Sequence, residues 1–297
     1  REVLRDLAGG GARWRRHALL AAALLGAGLA VLLPLRHSVV ERSLSSHPVV
    51  AVLGARPGAG VPAWQAQAFD EALTAALGAD PGLRVLSPQT VAESAVDLGL
   101  APAETYAPET LQQLRRRAGA ELALAGLLGS DPAAGLQLAL RLQQTSNGVE
   151  RPVLQLSAPA GPADGAALAA LASQAADVVR AELGHREPAQ TAPAARAALG
   201  VQPAGLAAYV EGLHRLRRFD MVAARERLTT AAEAEPASPH AQLALARLWL
   251  TLHQDEAARE AGRRALAALA SLPPGTQRDV EAEALVAAGE WQRALAL

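Results

Sequence analysis

The sequence predicts an α/β domain, with a mixed sheet and flanking helices, followed by an all-α repeat array and preceded by one transmembrane helix. Three observations carry this prediction. An uncharged apolar run occupies residues 18–35. Strand-length and helix-length apolar segments alternate between residues 49 and 184, the pattern of layered α/β folds. A tetrapeptide, Ala223-Ala224-Arg225-Glu226, recurs as Ala257-Ala258-Arg259-Glu260, 34 residues later, in a wholly helical region.

The elements follow in order. Residues 1–17 form a short stub. ALLAAALLGAGLAVLLPL, from Ala18 to Leu35, is uncharged over 18 positions, about the minimum for a hydrocarbon core of roughly 30 Å. Arg13, Trp14, Arg15 and Arg16 precede it and only Arg36 and His37 follow it closely. Positive charge favours the cytoplasmic side and tryptophan the interface, so these four residues are expected to anchor the span with the stub in the cytoplasm. A secretory signal is the rival reading. The apolar run is longer than the usual ~7–15 residues of such a signal, and no small-x-small cleavage pattern follows it. SVVERSLSSHP, residues 38–48, is a polar tether.

VVAVLGA (49–55) has the length and apolarity of a buried strand, and PAWQAQAFDEALTAALGA (62–79) sets Trp64, Phe69, Ala72, Leu73, Ala76 and Leu77 at helical spacing. LRVLSP (83–88) is expected as a second strand, introduced by the turn Asp80-Pro81-Gly82. A helix TVAESAVDLGL capped by Ser87 or Thr90 follows, then a polar helix over 108–120 and a strand over 122–130. Leu136, Leu138, Leu140 and Leu142 alternate along the next strand, which turns at Ser146-Asn147-Gly148 and returns, a hairpin pattern. An alanine-rich helix closes the domain at Gly184. HREPAQTAPAARAALGVQP, residues 185–203, lacks clean periodicity and is expected as a linker.

Residues 204–297 carry the 34-residue period, which is the tetratricopeptide length. Gly212 and Ala246, Ala224 and Ala258, and Ala231 and Ala265 occupy equivalent positions, and Pro236 closes the first unit. Small residues there let helices approach closely. Arg215 stands where that repeat usually has an aromatic, and Trp249 restores one in the second unit. Gly289 to Ala294 opens a third unit's second helix, so the array is expected to be incomplete at the C-terminus.

The segment AFDEALTAALGADPGLRVLSPQTV, the later RRRAGAELALAGLLGS and the Asn-Gly hairpin together resemble the TolB-like amino-terminal domain family, over residues 49–184. The resemblance implies the α/β topology and a sensing or partner-binding role, with no catalytic residue. Span, TolB-like domain and tetratricopeptide helices in this order resemble the extracytoplasmic region of bacterial receptor-type Ser/Thr kinases, and also of CadC-like winged-helix regulators. That implies a bacterial inner-membrane protein, with residues from about 36 onward extracytoplasmic. It also implies a kinase domain upstream of this chain, with a winged-helix regulator or a passive envelope scaffold as the alternatives. The array implies a protein or peptide partner.

Composition narrows the chemistry. The net charge is −1, so no global field gathers nucleic acid, and none is expected as a partner. There is no cysteine and no lysine; all 28 basic residues are arginine. Thiolate sites, Schiff bases and lysine phosphate clamps are therefore excluded. Gly58-Ala59-Gly60-Val61-Pro62-Ala63 fits the dinucleotide pattern G-x-G-x-x-A. That pattern also needs an acid at the end of the second strand, and LRVLSP ends in Ser87 and Pro88. The loop is then a strand-to-helix turn, with Gly54, Gly58 and Gly60 as a candidate ligand loop. The seven histidines show no i, i+3 or i, i+4 pair, so no metal site is expected. Asp70 with Glu71, and Glu93 with Asp97, are expected on solvated helix faces, as is the cluster Arg115-Arg116-Arg117. No cofactor and no enzymatic activity are expected, and the sequence sets no oligomeric state.

Overall fold

A computed structural model describes residues 47–151, 154–158, 163–186, 189–272 and 274–297. The stub, the apolar run from Ala18 to Leu35 with its anchors Arg13, Trp14, Arg15 and Arg16, and the tether up to residue 46 lie outside the described residues. Among the described residues, no helix is long and apolar enough to cross a membrane.

Five strands form one mixed sheet: β1 Val49–Pro57, β2 Arg84–Val85, β3 Leu122–Asp131, β4 Gly135–Gln144 and β5 Leu154–Ser157, in the order β2-β1-β3-β4-β5. β1 pairs parallel with β2 and β3, and the β3-β4-β5 part is antiparallel. Alternation along the strands sends residues to opposite faces. Ala51, Leu53 and Ala123 pack with Leu111 and Leu114 of helix α3 (Pro108–Ala118) and Val91 of α2 (Pro88–Asp97). The other face is covered by α1 (Ala63–Gly78) and α4 (Gly165–Glu182), which pack on each other. Phe69, Leu73 and Leu77 of α1 are fully buried there, each worth roughly 1.5–3 kcal/mol.

Local chemistry sets the boundaries. Ser87, not Thr90, caps α2: its hydroxyl accepts from Thr90 N–H at 3.1 Å, with Pro88 in the first turn. α3 ends on Gly119 in the left-handed region, φ 71°, where glycine carries no Cβ penalty. Arg115, Arg116 and Arg117 occupy its last turn, exposed, where they complement the helix dipole. Arg117 pairs with Asp97. The Asn147-Gly148 turn forms, with Gly148 at φ +72°. β2 is shorter than the sequence predicts: it keeps only Arg84 and Val85 because Pro88 already opens α2.

Residues 185–203 also differ from the expected linker. They contain α5, Thr191–Ala198, packed on α1 and α4 with Thr191 and Ala195 buried. A hydrogen bond of 3.1 Å between the Thr191 and Ser173 hydroxyls ties it to α4. Its two buried positions are four apart, which is one turn of helix and too short a pattern to read as periodicity.

The rest is helical: α6 Pro203–Arg217, α7 Met221–Ala234, α8 Pro239–Thr251, α9 Asp255–Ala267, α10 Pro274–Ala288 and a final turn, Trp291–Ala294. Successive helices pack in order, α8 also meets α10, and α6 lies across α1 and α2. The ends of α6, α8 and α10 share one backbone turn. Phe219, His253 and Gly289 stand in the left-handed region at φ 59°, 56° and 80°. In each, the next residue's N–H reaches back five positions: Asp220 to Arg215 O, Gln254 to Trp249 O and Glu290 to Leu285 O. The turn thus recurs while its side chain changes from Phe to His to Gly.

Candidate functional site

The short β2 creates the candidate site. β2 pairs only with Val49 and Val50 of β1, so the carboxyl half of β1 has no strand beside it on that edge. On its other edge the register slips between Val52 and Gly54, a bulge that rotates the strand. Gly54 sits there at φ +97°, and a Cβ on it would stand 2.6 Å from Asp70 Oδ2. Asp70, on α1, uses its other oxygen to accept from the Ala55 N–H at 2.8 Å. A backbone donor left free by the missing strand is met by a carboxylate.

Beside this edge lies a cavity of about 290 Å³, at the low end of the roughly 300–1,000 Å³ of small-molecule sites. It opens at the carboxyl end of β1, where the chain crosses to β2 on one side and β3 on the other, the switch point at which α/β sheets bind ligands. Its apolar wall includes Val52, Leu53, Leu86, Val91, Ala92, Leu100 and Tyr106. Its polar residues are Gln67, Asp70, Glu71 and Thr74 of α1 with His214, Arg217 and Arg218 at the end of α6.

The walls are braced. Arg56 bonds Glu104 at 2.8 Å across the cavity's rim. Tyr106 N–H donates to Gln143 Oε1 at 2.9 Å, and the Gln143 amide returns a bond to Tyr106 O at 3.1 Å. Glu71 and Arg217 form a two-pronged pair, the second prong from Nη2 to Oε2 at 2.9 Å, which joins α1 to α6. One group is left over: the Gln67 Oε1 is buried without a hydrogen-bond partner, at a cost of roughly 1–3 kcal/mol.

The electrostatics follow from burial. Burial pushes the Asp70 carboxyl well above its ordinary value of 3.8; the Ala55 N–H opposes this and Glu71 adds to it. Burial lowers the His214 imidazole, helped by Arg218, Arg217 and Arg215 and opposed by Glu71. Burial beside Glu71 pushes the Tyr209 phenol up to about 12. Glu71 is matched by Arg217, and among the described residues no carboxylate pairs with Arg218.

The three glycines of the candidate ligand loop part company. Gly54 lines the cavity. Gly58 donates its N–H to Leu128 O at 2.8 Å, and Gly60, at φ +75°, lies against Ser130. The loop is pinned to β3, and its Gly58 amide is not free to cradle an anion. Gly212, Ala224, Ala231, Ala246, Ala258 and Ala265 are all buried where helices cross. A Cβ on Gly212 would come within 2.6 Å of Leu228. Pro236 is exposed in the turn between α7 and α8, its carbonyl accepting from Gln242 Nε2 at 3.1 Å.

A second concavity, about 450 Å³, lies on the helical array. Leu243, Arg247 and Leu250 of α8 face Glu283, Val286 and Ala287 of α10, with Trp291 and Leu295 at one end. Leu250, Val286 and Trp291 are 38%, 36% and 58% exposed. Arg247 is engaged by Glu283, Nε to Oε2 at 2.8 Å.

Sequence reasoning missed a third cluster, at the far end of α1. Asp80 is buried, accepting from Arg180 Nε at 2.6 Å and Gly82 N–H at 2.8 Å, with His185 Nδ1 at 3.2 Å. Burial would raise the Asp80 carboxyl, but the Arg180 and Gly82 hydrogen bonds and the charges of Arg180 and His185 outweigh it and hold it low. The Asp-Pro-Gly turn was its only signal in the sequence.

No family model and no curated protein matches the chain. Among solved structures, the LpoB C-terminal domain from Salmonella enterica is 19% identical, covering 39% of this chain and 85% of that one. TolB from Acinetobacter baumannii is 14% identical, over 48% of this chain and 29% of that one. E. coli LpoB is 19% identical, over 38% and 57%. Each has a TM-score of 0.32. At these identities and this TM-score, the likeness transfers no activity or partner.

Proposed function

We propose that this chain is the extracytoplasmic, protein-binding region of a bacterial envelope signalling protein, anchored through residues 18–35, and that its helical array holds an apolar peptide segment of a partner protein. The observation that carries this is the groove between α8 and α10. Leu250, Val286 and Trp291 leave apolar surface in water there, beside an Arg247–Glu283 pair that can orient a peptide's polar groups. A contiguous exposed apolar patch marks an interaction site, and the 34-residue recurrence supports a tetratricopeptide array, whose helices bind peptides in this manner. The attribution to a receptor-type Ser/Thr kinase rests on the TolB-like resemblance of residues 49–184 and on the order of segments. A kinase domain continuous with Arg1 in the full gene is its test, and a winged-helix domain there would replace it.

Selection of a displayed random-peptide library on the full chain tests the groove. Enriched peptides should share an apolar anchor and lose binding to Leu250→Asp and Val286→Asp, both exposed positions whose substitution leaves the core intact. Absence of enrichment, or peptides indifferent to both substitutions, would remove the reading.

A further inference from the structure

We propose that the cavity at the carboxyl end of β1 binds a compact apolar anion, its charge meeting Arg218. This site is separate from the helical groove and does not rest on the peptide-binding reading.

Two independent features fix the chemistry. The volume of about 290 Å³ and the walls of Val52, Leu86, Val91 and Leu100 set a small apolar body. The second feature is the pairing of the three arginines at the end of α6. Arg215 is engaged by Asp220 and Arg217 by Glu71, whereas among the described residues no carboxylate pairs with Arg218. Of the other polar groups, Glu71 is already matched by Arg217, and burial raises the Asp70 carboxyl above its ordinary value.

Indole-3-acetate is a probe with both features, and calorimetry with the full chain tests it. Saturable one-site binding is expected. 3-Methylindole, which lacks the charge, should bind about threefold more weakly or worse, the worth of one lost ion pair. Arg218→Gln, at an exposed position, should erase the preference for the acetate over 3-methylindole. Ala92→Phe should fill the cavity and abolish binding, while Leu250→Asp in the helical groove should leave it unchanged. Failure of both probes to saturate overturns the proposal. So does binding that survives both Ala92→Phe and Arg218→Gln. Should Ala92→Phe fail to fold, the Arg218→Gln preference decides alone.

Discussion

Asp70 and Asp80 lie one within α1 and one just past its end, and their surroundings differ in kind. Asp80 is closed off, with an arginine, a backbone N–H and a histidine converging on it. Asp70 has one backbone N–H, a neighbouring acid and an open cavity. A buried carboxylate with a matching cation holds distant segments together. One without a cation stays neutral-prone, and such groups mark sites more often than supports. The comparison separates a structural cluster from a candidate binding cleft within a single helix.

The largest effect should come from the closed cluster. Asp80→Ala leaves Arg180 buried without its closest carboxylate and should cost about 3 kcal/mol, read as a shift in the urea midpoint. A loss no greater than that of Asp70→Asn would break the comparison. Next, Gly54→Ala puts a Cβ into the left-handed region and against Asp70 Oδ2. It should cost about 2 kcal/mol and release the Ala55 bond, visible as faster hydrogen exchange at Ala55.

The two carboxyls should also titrate in opposite senses. Asp80 is held low in the folded state, so its contribution is present above its ordinary value of 3.8 and lost as the pH falls through its folded value. Asp70 is raised, so its contribution is fullest below 3.8 and declines as the pH rises through its folded value. Urea midpoints from pH 4 to pH 8 should therefore show Asp70→Asn gaining on the parent as pH rises. A gap that narrows with pH contradicts the assignment. The smallest effect belongs to His185→Ala, which removes a partly exposed member of the closed cluster and should cost about 0.5 kcal/mol.

Much of the fold was legible because it is local. β1, β3 and β4 announce themselves by apolar runs or alternation, the Asn147-Gly148 turn by its residue types, and α1 by Phe69, Leu73 and Leu77 on one stripe. The site was not, because it is assembled from afar: Glu71 meets Arg217 across 146 positions and Asp80 meets Arg180 across 100. Asp70 and Glu71 flank the buried stripe of α1. Periodicity places them at its edge without showing that α6 and the bare half of β1 cover them. Of the candidate ligand loop, Gly54 lines the cavity, whereas β1 runs on to Pro57 and carries Gly58 and Gly60 over to β3.

The two-residue β2 has one more consequence. A strand with an unaccompanied edge is a template on which a second chain can lay its own backbone, the first step toward aggregation. Here Asp70 occupies the Ala55 donor on that edge with a group that cannot extend a ladder. The opening that admits a small molecule is thereby shut to another strand.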